Sequence, residues 1–519
     1  MVKGFSRLWC LAACLLFHEI NGQEATLLEK DDAMVINSGE AQYDGKEIVL
    51  SGQVVVQHGL GQISARRLSL LPSSHSGKKN KFAFLKISED VQIELRGGGK
   101  LYCQQAEVDY AKMQGIFSGS AEAPDVTYLN TGEGTDASKK TRPPLEVKSD
   151  QMIFHLLREA ATSKTLVKQI EASHNVRVSY NQDYLLLADD AFYQRMPSAN
   201  SAHAGLLTLS VRGDNPVCQM TNANGDRLNA QSIQVNTAER QLWLDQPQGV
   251  LYMRREKWPT QAVEFSANEL VWDDQKQTLH LRGRVNMTHN GTVHVQTDHE
   301  IAMAQALVND KRTLRFIQSP QQTKIAYLDV EKGNHRHIYC PGPLVIDHER
   351  QVMTLQGLPN AAGQIEESQQ VYVEDLLGEM YADHVSIHYS WRERQLVPEK
   401  VTLEGHVRLL NRFDGHPEEA GTILHYALAD RVNYLPKQQE MTLDGTQGNR
   451  VLFFDKVNNV QMSAPSLKVR HDMTTRKDAI QGFGDVRFTF IEKELAQLKQ
   501  RFRLEESSHK ELGNDQSKK

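Results

Sequence analysis

What this chain has little of narrows its class before any motif is read. Five cysteines occur in 519 residues, and two of them, Cys10 and Cys14, fall in an N-terminal apolar stretch. The remaining Cys103, Cys218 and Cys340 are an odd number, which rules out a complete intramolecular disulfide framework and leaves a single bridge open. A basic excess is missing too. The formal net charge is −6 and no basic stripe runs along the chain, which argues against a nucleic-acid partner. No internal run approaches the roughly 18 apolar residues of a spanning helix, and a composition 39% apolar and 24% charged is too polar for repeated membrane crossings.

Catalytic signatures are also absent. There is no Gly-x-Ser-x-Gly elbow, P-loop or dinucleotide fingerprint, and the carboxylates are scattered along outward strand positions rather than paired. The 20 histidines include two close pairs, His335/His337 and His384/His388. No cysteine or carboxylate spacing completes a ligand set around either. Neither an enzyme nor a cofactor nor a metal site is expected.

What is present is one register pattern, repeated. An apolar residue is followed two places on by a small residue, then by apolar residues three and five places after the small one. Ile63/Ala65/Leu68/Leu70 follows it, as do Leu101/Cys103/Ala106/Val108, Val147/Ser149/Met152/Phe154, Leu186/Ala188/Ala191/Tyr193 and Leu228/Ala230/Ile233/Val235. The later copies are Phe265/Ala267/Leu270/Trp272, Met380/Ala382/Val385/Ile387, Ala427/Ala429/Val432/Tyr434 and Met462/Ala464/Leu467/Val469. Residues two apart share a strand face, so each half reads as half-buried β structure. The odd spacing between the halves demands a one-residue slip, as a bulge or a corner provides. Weak copies at Val295/Thr297 and Ile338/Cys340 fill the gap between Ala267 and Ala382. Copies mostly 35 to 47 residues apart are stacked supersecondary units. Cys103 and Cys340 thereby read as buried small residues.

A second strand type carries glycine at its centre, with apolar residues on one face on both sides. Ile48 to Val56 pivots on Gly52, Leu279 to Met287 on Gly283, and Val401 to Leu409 on Gly405; weaker versions surround His174-Asn175 and Gly484-Asp485. Glycine within a strand marks a bulge or a sharp bend. By parity the interior face includes Ile48, Leu50, Val54, Val56, Ile63, Leu68, Phe265, Leu270, Leu279, Leu281, Val285, Met287, Leu403, Val407 and Leu409. These are the candidate lining of an apolar groove, and parity alone does not separate a groove from a filled core.

The ends of the chain read differently. Lys3 and Arg7 before the apolar residues 8–17 describe a secretory signal peptide over residues 1–22; Leu11-Ala12-Ala13-Cys14 also resembles a bacterial lipobox, which would acylate Cys14. Polar stretches at 73–81, 131–144, 197–204 and 363–370 read as loops, and a break near 254–260 divides the repeats into arrays 23–255 and 256–490. Asn290-Gly291 between two strand patterns is a hairpin signal. From residue 491, Ile491, Leu495, Leu498 and Phe502 recur at helical spacing before a polar end, giving an amphipathic helix and a disordered tail over 491–519.

Gly-x-Val strands followed by the small slot and its neighbouring aspartate resemble the OstA-like, or LptA, family of periplasmic lipopolysaccharide-transport proteins. Ser51-Gly52-Gln53-Val54-Val55-Val56-Gln57 with Ile63-Ser64-Ala65-Arg66 carries the likeness best. Leu187-Ala188-Asp189, Tyr381-Ala382-Asp383 and Leu428-Ala429-Asp430 supply the Ala-Asp form. The resemblance extends over about residues 33–490. It implies an elongated, folded-over antiparallel sheet, a β-jellyroll, whose groove shields lipopolysaccharide acyl chains in the periplasm while the glycan stays outside. This chain is much longer than the family's bridge member, carries the C-terminal helix, and lacks the run of barrel strands of the outer-membrane member.

The expectation is therefore an all-β carrier of lipopolysaccharide or a similar glycolipid, moving toward the outer membrane. Open sheet ends would let it pair with other jellyroll proteins or with itself. The alternative is a secreted structural or adhesive β-solenoid-like protein, although solenoid coils are usually shorter in period and more uniform.

Overall fold

The computed structural model describes residues 35–489 apart from short segments, of which 131–143 and 413–422 are the longest. The expected signal peptide, the C-terminal helix and tail, and the polar stretches at 73–81, 131–143 and 197–204 lie outside the described residues. Apart from short 3-10 turns such as Glu367–Gln369 and Pro436–Gln438, the regular structure described is β-strand, and the pairings are antiparallel. The protein falls into two units, Met1–Ile317 and Gln318–Lys519.

The first unit is an antiparallel sheet folded over into two layers. Its long strands cross the fold line and belong to both. Ile48–His58 pairs with Glu40–Tyr43 through one half and with Val35–Asn37 through the other. Thr165–Tyr180 does the same with Gln151–Arg158 and Leu145–Ser149. Further along, each long strand is cut at the fold into two named halves. Arg227–Ala230 pairs in one layer with Cys218–Asn222 and Gln248–Arg255, while Ser232–Asn236 pairs in the other with Gly205–Ser210 and Gln241–Asp245. The chain thus runs up one layer, turns the corner, runs up the second, and returns by a hairpin. Alternating apolar residues on each half, all facing the opposite layer, are the reason the sheet closes on itself.

The second unit repeats the plan. One layer holds Thr323–Asp329, Asn334–Cys340, Val371–Asp375, Gly378–Ala382, Val451–Asp455, Val460–Ala464 and Arg487–Thr489. The other holds Leu344–Asp347, Val352–Gln356, His384–Arg392, Glu440–Asp444, Ser466–Asp472 and Lys477–Phe483. Gln395–Arg412 and Ile423–Leu435 cross between them.

The odd spacing seen in the sequence is the corner, and the slip sits on the glycine strand. Ser51 faces Arg67 and Val54 faces Ala65, so two residues oppose one. The same two-against-one bulge places His174-Asn175 opposite Asp189 and Gly405-His406 opposite Asp430. Both inserted residues take positive φ: 62° and 54° at His174 and Asn175, 75° and 42° at Gly405 and His406. At Gly405 a Cβ would also meet Asp383 Oδ2 at 2.4 Å, which leaves room for glycine alone. Glu89 and Asp90 form a corner of the same kind without glycine, with φ of 66° and 57°.

The expected divide after residue 255 falls inside the first unit. Gln248–Arg255 pairs with Trp258–Ser266 across it, Leu251 facing Val263, and the polar break is a hairpin tip. A tip and a linker have the same composition because both carry backbone out to solvent. Hairpin chemistry at Asn290-Gly291 is as expected: His289 faces Val293, and Gly291 has φ 67°.

Candidate lipid-binding interior

The fifteen parity-derived residues all lie on inward strand faces. Leu50 faces Leu68 and Val54 faces Ala65 across one pair of strands. Leu270 faces Leu281, and Phe265 faces Met287. In the second unit Leu403 faces Val432 and Val407 faces Ala429. All are buried except Ile48 and Leu409, which are half-buried and packed against the same clusters. In the first unit one apolar cluster runs without interruption from Leu50 to Leu314. The second unit has its own, from Cys340 to Leu467.

Leu281 is 0% exposed, so in this state inward side chains fill the space between the layers and touch one another. Buried carboxylates occur only where chain direction reverses among the described residues: Asp273, Asp274 and Asp347 sit at hairpin tips.

The interior thiols are held in the neutral form. Cys103, Cys218 and Cys340 are free and buried. Burial pushes the Cys103 thiol up to about 12 and those of Cys218 and Cys340 to about 11, far from thiolate formation. Cys103 and Cys340 occupy small slots of the repeat. Cys340 Sγ donates to the Gly342 carbonyl at 3.4 Å, two residues on, as Ser149 does to Gln151 at 2.9 Å and Ser319 to Gln321 at 3.1 Å. A hydroxyl or thiol in the slot therefore satisfies a corner carbonyl that would otherwise be buried unpaired. His384 and His388 face outward, opposite Glu404 and Lys400, and His337 is exposed opposite Glu374.

Along the fold line the corners are tied to one another. Gln246 N–H donates to the Asn268 carbonyl, Asn268 N–H to that of Gly283, and Gly283 N–H to that of His299, at 2.8, 2.8 and 2.6 Å. In the second unit Gly357 N–H bonds the Asp383 carbonyl and Asp383 N–H the Gly405 carbonyl. After several of the small slots the next residue adds a side-chain link to the neighbouring corner. Asp189 accepts from Arg212 N–H at 2.6 Å, Asp150 from Asn175, Asn268 from Arg284, and Asp383 lies 2.7 Å from His406 Nδ1. Here is the physical reason for the Ala-Asp pair: alanine fits under the corner and aspartate fastens the next one. Among the described residues, hairpins stand at the opposite edge of the layers.

Those hairpins contain a recurrent element that the sequence reading missed. Asp109, Asn236, Asp273 and Asp347 each accept, through the side-chain oxygen, the N–H three residues on, from Lys112, Glu239, Lys276 and Arg350. The fourth residue on, Met113, Arg240, Gln277 or Gln351, then takes positive φ. The signal was available as Asp or Asn, with a long residue four places later, before each new strand.

Large apolar side chains lie exposed on the terminal strands. Tyr43 is 63% exposed on Glu40–Tyr43, and Phe488 55% exposed on Arg487–Thr489, with Val35 and Phe483 exposed beside them. Among the described residues no helix is long and apolar enough to cross a membrane. Comparison of the chain with protein-family models and with curated proteins finds no match.

Proposed function

We propose that this protein is a periplasmic carrier of lipopolysaccharide or a similar glycolipid, holding the acyl chains between its two layers and passing the lipid toward the outer membrane. The observation that carries this reading is the one-sided closure of the sheet. The long strands run through the corners from one layer into the other, whereas at the hairpin edge no described strand of one layer pairs with a strand of the other. Parting the layers there breaks no ladder and exchanges side-chain contacts for lipid contacts. Each buried lipid CH₂ contributes about 0.8 kcal/mol, so an apolar trough needs no charged or catalytic group to hold its cargo. The exposed apolar residues on the terminal strands support delivery by strand addition to other jellyroll proteins or to another copy.

Photo-crosslinking tests the reading. A benzophenone residue at inward Val54, Leu281 or Leu403 is expected to capture lipopolysaccharide in the native periplasm, and one at outward Val55, Arg282 or Glu404 is not. Equal labelling of the two sets, or none at either, overturns it.

A further inference from the structure

The two outer faces of the second unit differ in character. On the layer containing Ser466–Asp472 the outward face carries cross-paired charges: Arg431 bridges Glu404 at 3.2 Å, and Glu440 holds Lys468 and Arg470 at 2.7 and 2.8 Å. On the other layer the outward positions of three neighbouring strands are Leu410, Leu428, Leu452, Tyr426 and Phe454, with Arg408 opposite Leu428 at the margin, where it pairs with Glu367 and lies over the Tyr381 ring. They are contiguous, because Leu410 faces Tyr426, Tyr426 faces Phe454, and Leu428 faces Leu452. Phe454 lies outside the unit's interior cluster, which contains its neighbour Phe453, yet it is 8% exposed. Burial pushes the Tyr426 phenol above its ordinary value as well. An outward patch this apolar and this protected belongs to a covered surface.

The last described strand ends beside the patch. Thr489 faces Gln461, and Gln461 faces Phe454, so the last described strand delivers the C-terminal segment to the head of this row. The apolar residues Ile491, Leu495, Leu498 and Phe502 then follow at helical spacing. As a helix, residues 491–502 would span about 18 Å. The four strand spacings from Arg487–Thr489 to Gln395–Arg412 come to about 19 Å. We propose that residues 491–502 pack as a helix across this outer face, with Ile491, Leu495, Leu498 and Phe502 on Leu410, Leu428, Leu452, Tyr426 and Phe454. The helix closes the flank of the last strands and leaves their edge as the surface open to strand addition.

The test uses the chain from residue 23 to its end, with a benzophenone residue at Leu452 or, as control, at Lys468 on the polar layer. At low protein concentration Leu452 is expected to crosslink within one chain to a peptide spanning 491–502, and Lys468 is not. A crosslink from Leu452 only to a second copy, or none to 491–502, overturns the proposal. Independently, Leu495→Asp with Leu498→Asp should raise the fluorescence of a hydrophobic dye while the far-ultraviolet β signal stays unchanged. Unaltered dye fluorescence in that folded variant also overturns it.

Discussion

Thr446 N–H donates to Asp430 Oδ2 at 2.6 Å, joining two successive corners of the second unit. The same carboxylate accepts from Thr446 Oγ1 and from Asn449 Nδ2, each at 3.0 Å. Partial burial opposes its ionisation, but these hydrogen bonds, with His406 nearby, hold it below the ordinary 3.8. A carboxyl depressed on folding contributes stability above its unfolded pKa, and the contribution is lost as pH falls through the folded value. Asp430→Ala should therefore cost about 1 kcal/mol at pH 7, a charged acceptor's hydrogen bonds discounted for solvent exposure. The deficit should shrink below about pH 4. Urea unfolding at pH 7 and pH 3 checks this; an equal deficit at both would remove the ionised carboxylate from the account.

Gly405→Val should destabilise the second unit by about 2 kcal/mol or more, because a side chain there meets both a left-handed backbone and the Asp383 carboxylate. Gly213→Ala, at φ 93° with no atom within 4 Å of the added carbon, isolates the backbone part and should cost about 1 kcal/mol. Equal melting shifts for the two would mean that the corner contact contributes nothing.

The buried thiols should resist reagents in the folded state. In the chain beginning at residue 23, Cys103, Cys218 and Cys340 should remain unlabelled by a disulfide-exchange reagent at pH 8 and all react after denaturation. Rapid labelling of any one in the native protein would contradict the packed interior.

The terminal strands should mediate association. Sedimentation of the wild-type chain is expected to show concentration-dependent end-to-end oligomers, weakened by Val35→Lys or by Phe488→Lys, since charge blunts an open edge. A strict monomer at every concentration, without affinity for other jellyroll proteins, would leave delivery by strand addition unsupported.

Much of the fold was legible because its signals are local. The parity of Leu279, Leu281, Val285 and Met287 fixed their common face, and Gly283 between them fixed the bend, since two-residue alternation and a left-handed glycine are set by the chain itself. The corner at Glu89-Asp90 was invisible for the same reason inverted. It uses the same bulge without the residue type that announces it. Near 254–260 the sequence reads as a break, whereas the strands on either side of it pair with each other, a long-range fact that polar composition does not carry.

The sequence by itself determined that the chain is a series of half-buried strands interrupted by corners, because both features are written within about ten residues of one another. Where a strand is apolar on both faces and no parity reading was made, which side becomes interior was decided only in three dimensions. Phe453-Phe454 is such a place. The fold turns Phe453 toward the opposite layer and Phe454 away from it. The tying of corner to corner is equally non-local: Asp430 finds Thr446 and Asp189 finds Arg212 only after the strands between have paired. Strand pairing brings distant residues into contact, and the free energy of those contacts is not encoded at either residue alone.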